Sequence, residues 1–235
     1  MGCRILALLV ACVATLGSAH AGTLTYSSAT VIDPQKVTLS GSAVGGRETV
    51  YAGEIQLMGI NGATGTLATF CIDVADWLTP AGQFSTGSYL TGSLADLING
   101  LLTHVLPTIG KVEDASAALQ VAIWEAEYGP SLTVSGNQDV TDLAGRYLAN
   151  LKSGQWASDP AMRVAVLDGG GKTQSQAYLS PIAEPASLSV LGMGLFGAAA
   201  LRRRRRSKRG SDEFAGMQPV YTRMTSVSIN CRPRD

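Results

Sequence analysis

A thiol, an imidazole and a side-chain amide are the groups in this 235-residue chain whose types and places could support chemistry. The cysteines are Cys3, Cys12, Cys71 and Cys231. The first two fall in an apolar N-terminal segment and the last lies beyond a basic block, which leaves Cys71 alone in the body of the chain. A lone thiol in an oxidising compartment needs a reason, because it invites wrong pairing. The plain reading is a small buried hydrophobe on a strand. A sharper reading makes Cys71 the nucleophile of a hydrolase or acyltransferase, with His104 as its base. Against that reading, His104 sits in a strongly apolar helical stretch, and no flanking signature of a cysteine protease is present. The only other histidine is His20, in the leader, so a multi-His metal site is excluded and no metal ligands are expected. The amide is Gln120. It lies four residues after Ser116 and four before Trp124, so all three share one helix face, on a side flanked by alanine. A buried amide costs free energy unless it is bonded, so Gln120 must find a partner.

The elements that would position these groups follow from period. Residues 23–32, 36–44, 48–60 and 66–74 are rich in Thr, Val and Ile, with glycine pairs and Asn61-Gly62 as turns, and read as strands. Residues 93–106 change to helical spacing, with Ser93 as cap and Pro107 as stop. Two more helices are predicted over 113–128 and 140–152, and strands return at 162–167 and 174–180. Asp168-Gly169-Gly170-Gly171-Lys172-Thr173 looks like a phosphate loop, but Val166 stands where its first glycine belongs, so a hairpin turn is the expectation. The fold class expected is therefore mainly β with a helical insertion (α+β). Its body, residues 22–180, would be a β-sandwich or barrel with a three-helix subdomain.

Two short stretches of that body carry a resemblance. Phe70-Cys71 is an aromatic residue before a cysteine, and Leu119-Gln120-x-x-Ile123-Trp124 is hydrophobic-Gln-x-x-hydrophobic-Trp. Together they resemble the signature of the thioester domains of bacterial surface adhesins, over about residues 50–130. The resemblance implies an internal thioester between Cys71 and Gln120, with Phe70, Leu119, Ile123 and Trp124 as motif residues and Trp124 as a screen against water. Thiolate attack on the Gln120 side-chain carbonyl would expel ammonia. An amine or hydroxyl of a partner surface could then displace the thiol, forming an amide or ester. No cofactor is needed and the chain acts once, so it would not be an enzyme in the turnover sense. The bond would also staple a loop of nearly fifty residues, worth about 4 kcal/mol by analogy with a disulfide. Asp73, Asp76, Glu125 and Glu127 are acidic neighbours that could attract amines, or simply solvated surface.

Charge separates the body from its ends. Residues 22–180 carry 14 Asp/Glu against 7 Lys/Arg, while the compensating positive charge sits almost wholly in residues 202–209. An acidic body argues against nucleic acid as a partner. At the N-terminus, Arg4, an apolar run and Ala19-His20-Ala21 make a secretory signal peptide over residues 1–21. At the other end, Ala186 to Leu201 is apolar and uncharged and is closed by Arg202, Arg203, Arg204, Arg205 and Arg206. Counted from Pro185, with the arginines snorkelling, this stretch (residues 185–201) can just cross a membrane as a transmembrane helix, arginines inside. Glu184-Pro185, the apolar span and the arginine block, residues 181–209, are similar to the PEP-CTERM sorting signal of exported proteins in Gram-negative bacteria that make exopolysaccharide. That resemblance implies processing by an exosortase-type protease and a final place at the outer surface or in the extracellular matrix. Ala183 replaces the usual first proline, and residues 210–235 continue past the arginines as an expected disordered tail.

Adhesion by covalent attachment is the leading reading. A non-catalytic exopolysaccharide-matrix protein with an inert Cys71 is the alternative, and the Cys71/His104 hydrolase is the third. Processing at both ends predicts a mature chain that begins at Gly22 and is trimmed near Glu184-Pro185. Replacing Glu184 and Pro185 by Ala is expected to leave the chain at full length in the membrane. N-terminal sequencing of the native protein checks the export step, which a start at Met1 would refute.

Overall fold

Segments rich in Thr, Val and Ile pair as antiparallel strands because their alternate side chains can be buried on one face. In the computed structural model, which describes residues 22–182, these strands are β1 (Thr23–Tyr26), β2 (Ser28–Gly41), β3 (Gly46–Met58), β4 (Thr66–Cys71) and β5 (Gly82–Tyr89). Three helices follow, α1 (Gly92–Val105), α2 (Ala115–Tyr128) and α3 (Gln138–Lys152), with β6 (Thr133–Gly136) between the last two. The hairpin β7 (Met162–Asp168) and β8 (Gln176–Pro181) closes the described chain. The signal-cleavage residues Ala19 and Ala21, the sorting residues Glu184, Pro185 and Arg202 to Arg206, the expected span over 185–201 and the tail lie outside the described residues. Among those described, no helix is long and apolar enough to cross a membrane.

The eight strands run in the order β1-β5-β7-β8-β4-β3-β2-β6, with every neighbouring pair antiparallel. The fold is therefore mainly β with three helices, as the sequence predicts in outline. One strand joins its two halves. Thr66 to Thr69 of β4 pair with β3, whereas Phe70 and Cys71 pair with Ala177 and Gln176 of β8. Cys71 stands where the ladder changes hands.

The helices are not a separate subdomain. α2 packs on β2, β3 and β4 as well as on both other helices, and a single buried cluster runs through sheet and helices. Every residue from Ala115 to Trp124 is buried. A helix buried on all sides needs small side chains where it meets backbone, and Ala115, Ala117, Ala118 and Ala122 supply them. Residues Ala52 to Ile55 of β3 are correspondingly buried in an unbroken run, because α2 covers the face that the sheet leaves open.

The structure departs from the predicted elements at three places. Residues 23–32 and 36–44 do not form separate strands; Ser28–Gly41 is one strand with a register break between Ile32 and Gln35. Asp33 adopts a left-handed φ of 46° there, and Pro34 has no N–H to give the ladder. β5 and β6 were not predicted. β5 contains two glycines and buries only Phe84, and β6 has four residues on an outer edge, so neither carries an apolar alternation. The Asp168–Ser175 connection does turn the β7–β8 hairpin, with Gly170 N bonded to Asp168 Oδ1.

Gly53 shows how closely β2 approaches β3 beside the register break. A Cβ on Gly53 would lie 2.8 Å from the Ile32 carbonyl oxygen, which is rigid backbone of β2. Gly53→Ala is expected to cost about 1–3 kcal/mol in a urea melt through overpacking. An unchanged midpoint would mean that the strands can separate freely at this point.

Candidate functional site

The polar stripe of α2 faces the sheet, reaching β2 and β3 through Ser116 and β4 through Gln120. Ser116 Oγ accepts from Glu54 N at 2.6 Å and donates to Ile32 O at 3.4 Å. One turn on, Gln120 Oε1 accepts from Cys71 N at 2.9 Å while its Nε2 donates to Cys71 O at 2.8 Å. The β3–β4 pairing stops at Ile55 and Thr69. Continued by two residues, the same register would set Gly53 opposite Cys71. The Gln120 amide bonds the Cys71 peptide instead, donor to acceptor and acceptor to donor. The buried amide that the sequence flags thus has its partner, and that partner is Cys71. Phe70, Leu119 and Ile123, near Cys71 and Gln120 in sequence, belong to the buried core, each at most 1 % exposed.

The thiol itself is fully enclosed. Sγ donates to Asp73 O at 3.0 Å and accepts from Asp73 N at 3.3 Å, in the turn that ends β4. Burial pushes the thiol up to about 12, with the Asp73 and Glu127 charges adding to it. The Trp124 indole N–H and the Asp73 backbone pull the other way. Trp124 Nε1 is buried without a hydrogen-bond partner, and its polarity acts on the thiol without a formed bond. At neutral pH Cys71 is therefore a thiol, not a thiolate.

Tyr128, which the sequence reading did not single out, fixes the turn beyond the cysteine. Its hydroxyl donates to Ile72 O at 3.2 Å and accepts from Val74 N at 3.3 Å. Burial, then the Glu127, Asp73 and Cys71 charges, push it to about 12. The signal for it was available, since position 128 continues the 116–120–124 stripe by another four residues.

A second glutamine was also missed. Gln176 faces Cys71 across the β4–β8 pair and is wholly buried. Its Oε1 accepts from Thr69 Oγ1 at 3.3 Å and its Nε2 donates to Gln174 O at 3.2 Å. It therefore supports β4 from the side opposite Gln120.

His104 is engaged elsewhere. Its ring stacks on Trp156 with centroids 5.0 Å apart, and its Nε2 lies 3.2 Å from Ala157 O. It does not line the cavity that holds Cys71, so the structure does not bring these two residues together. Of the acidic residues named from the sequence, Asp73 and Glu127 act on the thiol and Asp76 lines its cavity. Glu125 faces a different groove, beside Lys152.

The cavity is small, about 170 Å³, and lies between the β2–β3 surface and the loop over residues 74–78. Cys71, Gln120 and Trp124 line it together with Gln174. A wider open groove of about 380 Å³, between Asp33–Gln35 and Gly110–Ser116, does not reach the cysteine. No protein-family model, no curated protein and no solved structure matches this chain.

Glu127 gives the site a pH signature. Its Oε2 is buried without a hydrogen-bond partner, and burial followed by the Asp73 charge raises its carboxyl from the ordinary 4.5 to about 7. Between those two values the folded chain binds more protons than the unfolded one, so this group makes stability fall as pH rises from 4.5 to 7. Glu127→Gln is expected to flatten that fall and to leave the protein more stable than wild type above pH 7. Urea midpoints measured across this interval check the sign; an equal slope in both proteins would show that Glu127 is not held neutral.

Proposed function

We propose that the protein is an exported surface or matrix protein in which Cys71 and Gln120 close an internal thioester, able to couple once to an amine or hydroxyl of a partner. The observation that carries the reading is the double hydrogen bond between the Gln120 amide and the Cys71 peptide. It holds the acyl carbon beside the one residue whose thiol must reach it, inside a cavity walled by Trp124.

In forming the bond, sulfur adds to the Gln120 carbonyl carbon, the C–N bond breaks, and the S–H proton leaves with the nitrogen as ammonia. Displacement by an amine breaks C–S, makes an amide and returns the proton to sulfur. Burial slows the first step by keeping the thiol protonated. It protects the product for the same reason, because water is excluded from the acyl carbon. Export and sorting rest on the two terminal sequence patterns, with an exosortase-type protease and the membrane as partners. The two strand groups sharing β4 are read as a sandwich- or barrel-like support, with the helices inserted between β5 and β7.

A second reading uses the same burial. A thiol pushed to about 12 and bonded to Asp73 O is also what an inert core cysteine looks like, and a matrix protein without the bond would have it. A hydrolase would need a base at Cys71, and His104 is held by Trp156 and Ala157 instead.

Intact mass separates these readings. The protein is expected to fall short of its sequence by one ammonia. Methylamine is expected to restore mass at Gln120 and to release one titratable thiol at Cys71. Cys71→Ala keeps both Gln120 hydrogen bonds to the backbone, so its expected loss of amine uptake and of about 4 kcal/mol reports chiefly the covalent bond. Label found on Gln176 would move the bond to the other face of β4. Full mass with a titratable Cys71, in protein never heated, would leave the matrix reading in its place.

A further inference from the structure

Exposed large apolar side chains are few among the described residues: Tyr51 at 58 %, Trp77 at 66 %, Val112 and Ile182. The two aromatic ones line the same cavity as Cys71 and Gln120. Trp77 is not exposed by fraying. Gln174 N donates to Trp77 O at 3.2 Å, Gln174 Nε2 donates to Asp76 O at 3.1 Å, and Thr79 N donates to Thr173 Oγ1 at 3.1 Å. The loop is tied down on both sides of a ring that faces water.

We infer that this mouth is a docking site for a neutral saccharide chain, which lies on the rings of Trp77 and Tyr51 and turns one hydroxyl inward toward Gln120. The apolar C–H face of a sugar ring packs on the electron-rich face of an aromatic ring. Glu48, Asp76 and Gln174, on the same lining, offer the acceptors and donors that hydroxyls require. An ammonium ligand would also be drawn by Glu48 and Asp76. However, Lys36 Nζ already lies over the Tyr51 ring, 5.5 Å from its centroid, and repels a second cation. A neutral ring-bearing ligand uses the aromatic faces and the carboxylates together. The cavity, at about 170 Å³, is below the roughly 300–1,000 Å³ usual for a whole ligand, so a chain would lie across the mouth and send one substituent in.

Docking stands on this geometry alone, whereas coupling rests on the thioester reading above. In the coupling step the sugar oxygen adds to the Gln120 acyl carbon, C–O forms and C–S breaks. The hydroxyl proton ends on sulfur, leaving an ester at Gln120 and a free Cys71 thiol.

The test keeps the two apart. In Cys71→Ala protein, where no thioester can form, calorimetric titration with maltohexaose and cellohexaose is expected to show binding to at least one of them. Trp77→Ala and Tyr51→Ala, each added to that background, are expected to weaken it about tenfold. Binding of neither sugar, or binding indifferent to both rings, overturns the inference, as does Trp77-dependent binding of polylysine in place of the sugars. In wild-type protein, a saccharide adduct mapped to Gln120 is expected. Sugar binding without any ammonia deficit would preserve the docking site and refute only the thioester.

Discussion

The peptide group of Cys71 has β8 on one side and no strand on the other, and the side chain of Gln120 fills that vacancy with a donor and an acceptor. A buried N–H or C=O left unpaired costs about 1–3 kcal/mol, so this one amide secures two such groups at once. It also determines how α2 must lie. Turning the helix by one residue would swing the amide away by about 100° and present Leu119 or Val121 to the Cys71 backbone. Ser116 makes the same demand one turn earlier, at Glu54 N. The register of the central helix, the parting of β3 from β4 and the place of the cysteine are thus one constraint seen from three sides.

Around that contact lies a patch where charge is disfavoured throughout. Cys71, Glu127 and Tyr128 are all pushed toward their neutral forms, and burial is the largest cause for each. Their charges also oppose one another, with Asp73 adding to all three. Ionising any one of them makes the others harder to ionise. The patch is consequently poor at stabilising a thiolate.

The helical part of this arrangement was legible in the sequence because period and spacing survive burial. Ser116, Gln120 and Trp124 announce a polar stripe whatever they pack against, and a polar residue on an alanine-rich face announces a buried hydrogen bond. What the stripe would meet was legible only through a resemblance resting on two short motifs. The strands were harder to read. β5 carries glycine, serine and threonine with one buried phenylalanine, and its place is set by β1 and β7 on either side, not by its own pattern. Asp33-Pro34 reads as a chain break because proline cannot donate, yet β3 runs past the bulge and holds both halves of β2 together. Gln176 was invisible as a core residue since a glutamine two residues from another looks like solvated surface. Only the pairing of Cys71 with β8 places it inside.

The strand order also determines how the body would respond to a pull. β8 is the last element before Ile182, and it is not at an edge: β7 flanks it on one side and β4 on the other. Tension arriving through Ile182 would therefore load two ladders together, and one of them ends at Cys71. A strand peeled from an edge yields one hydrogen bond at a time, whereas an interior strand must break both of its ladders to move. The cysteine that marks the change of partners in β4 accordingly sits on a force path through the molecule, a mechanical position that no count of its contacts would disclose.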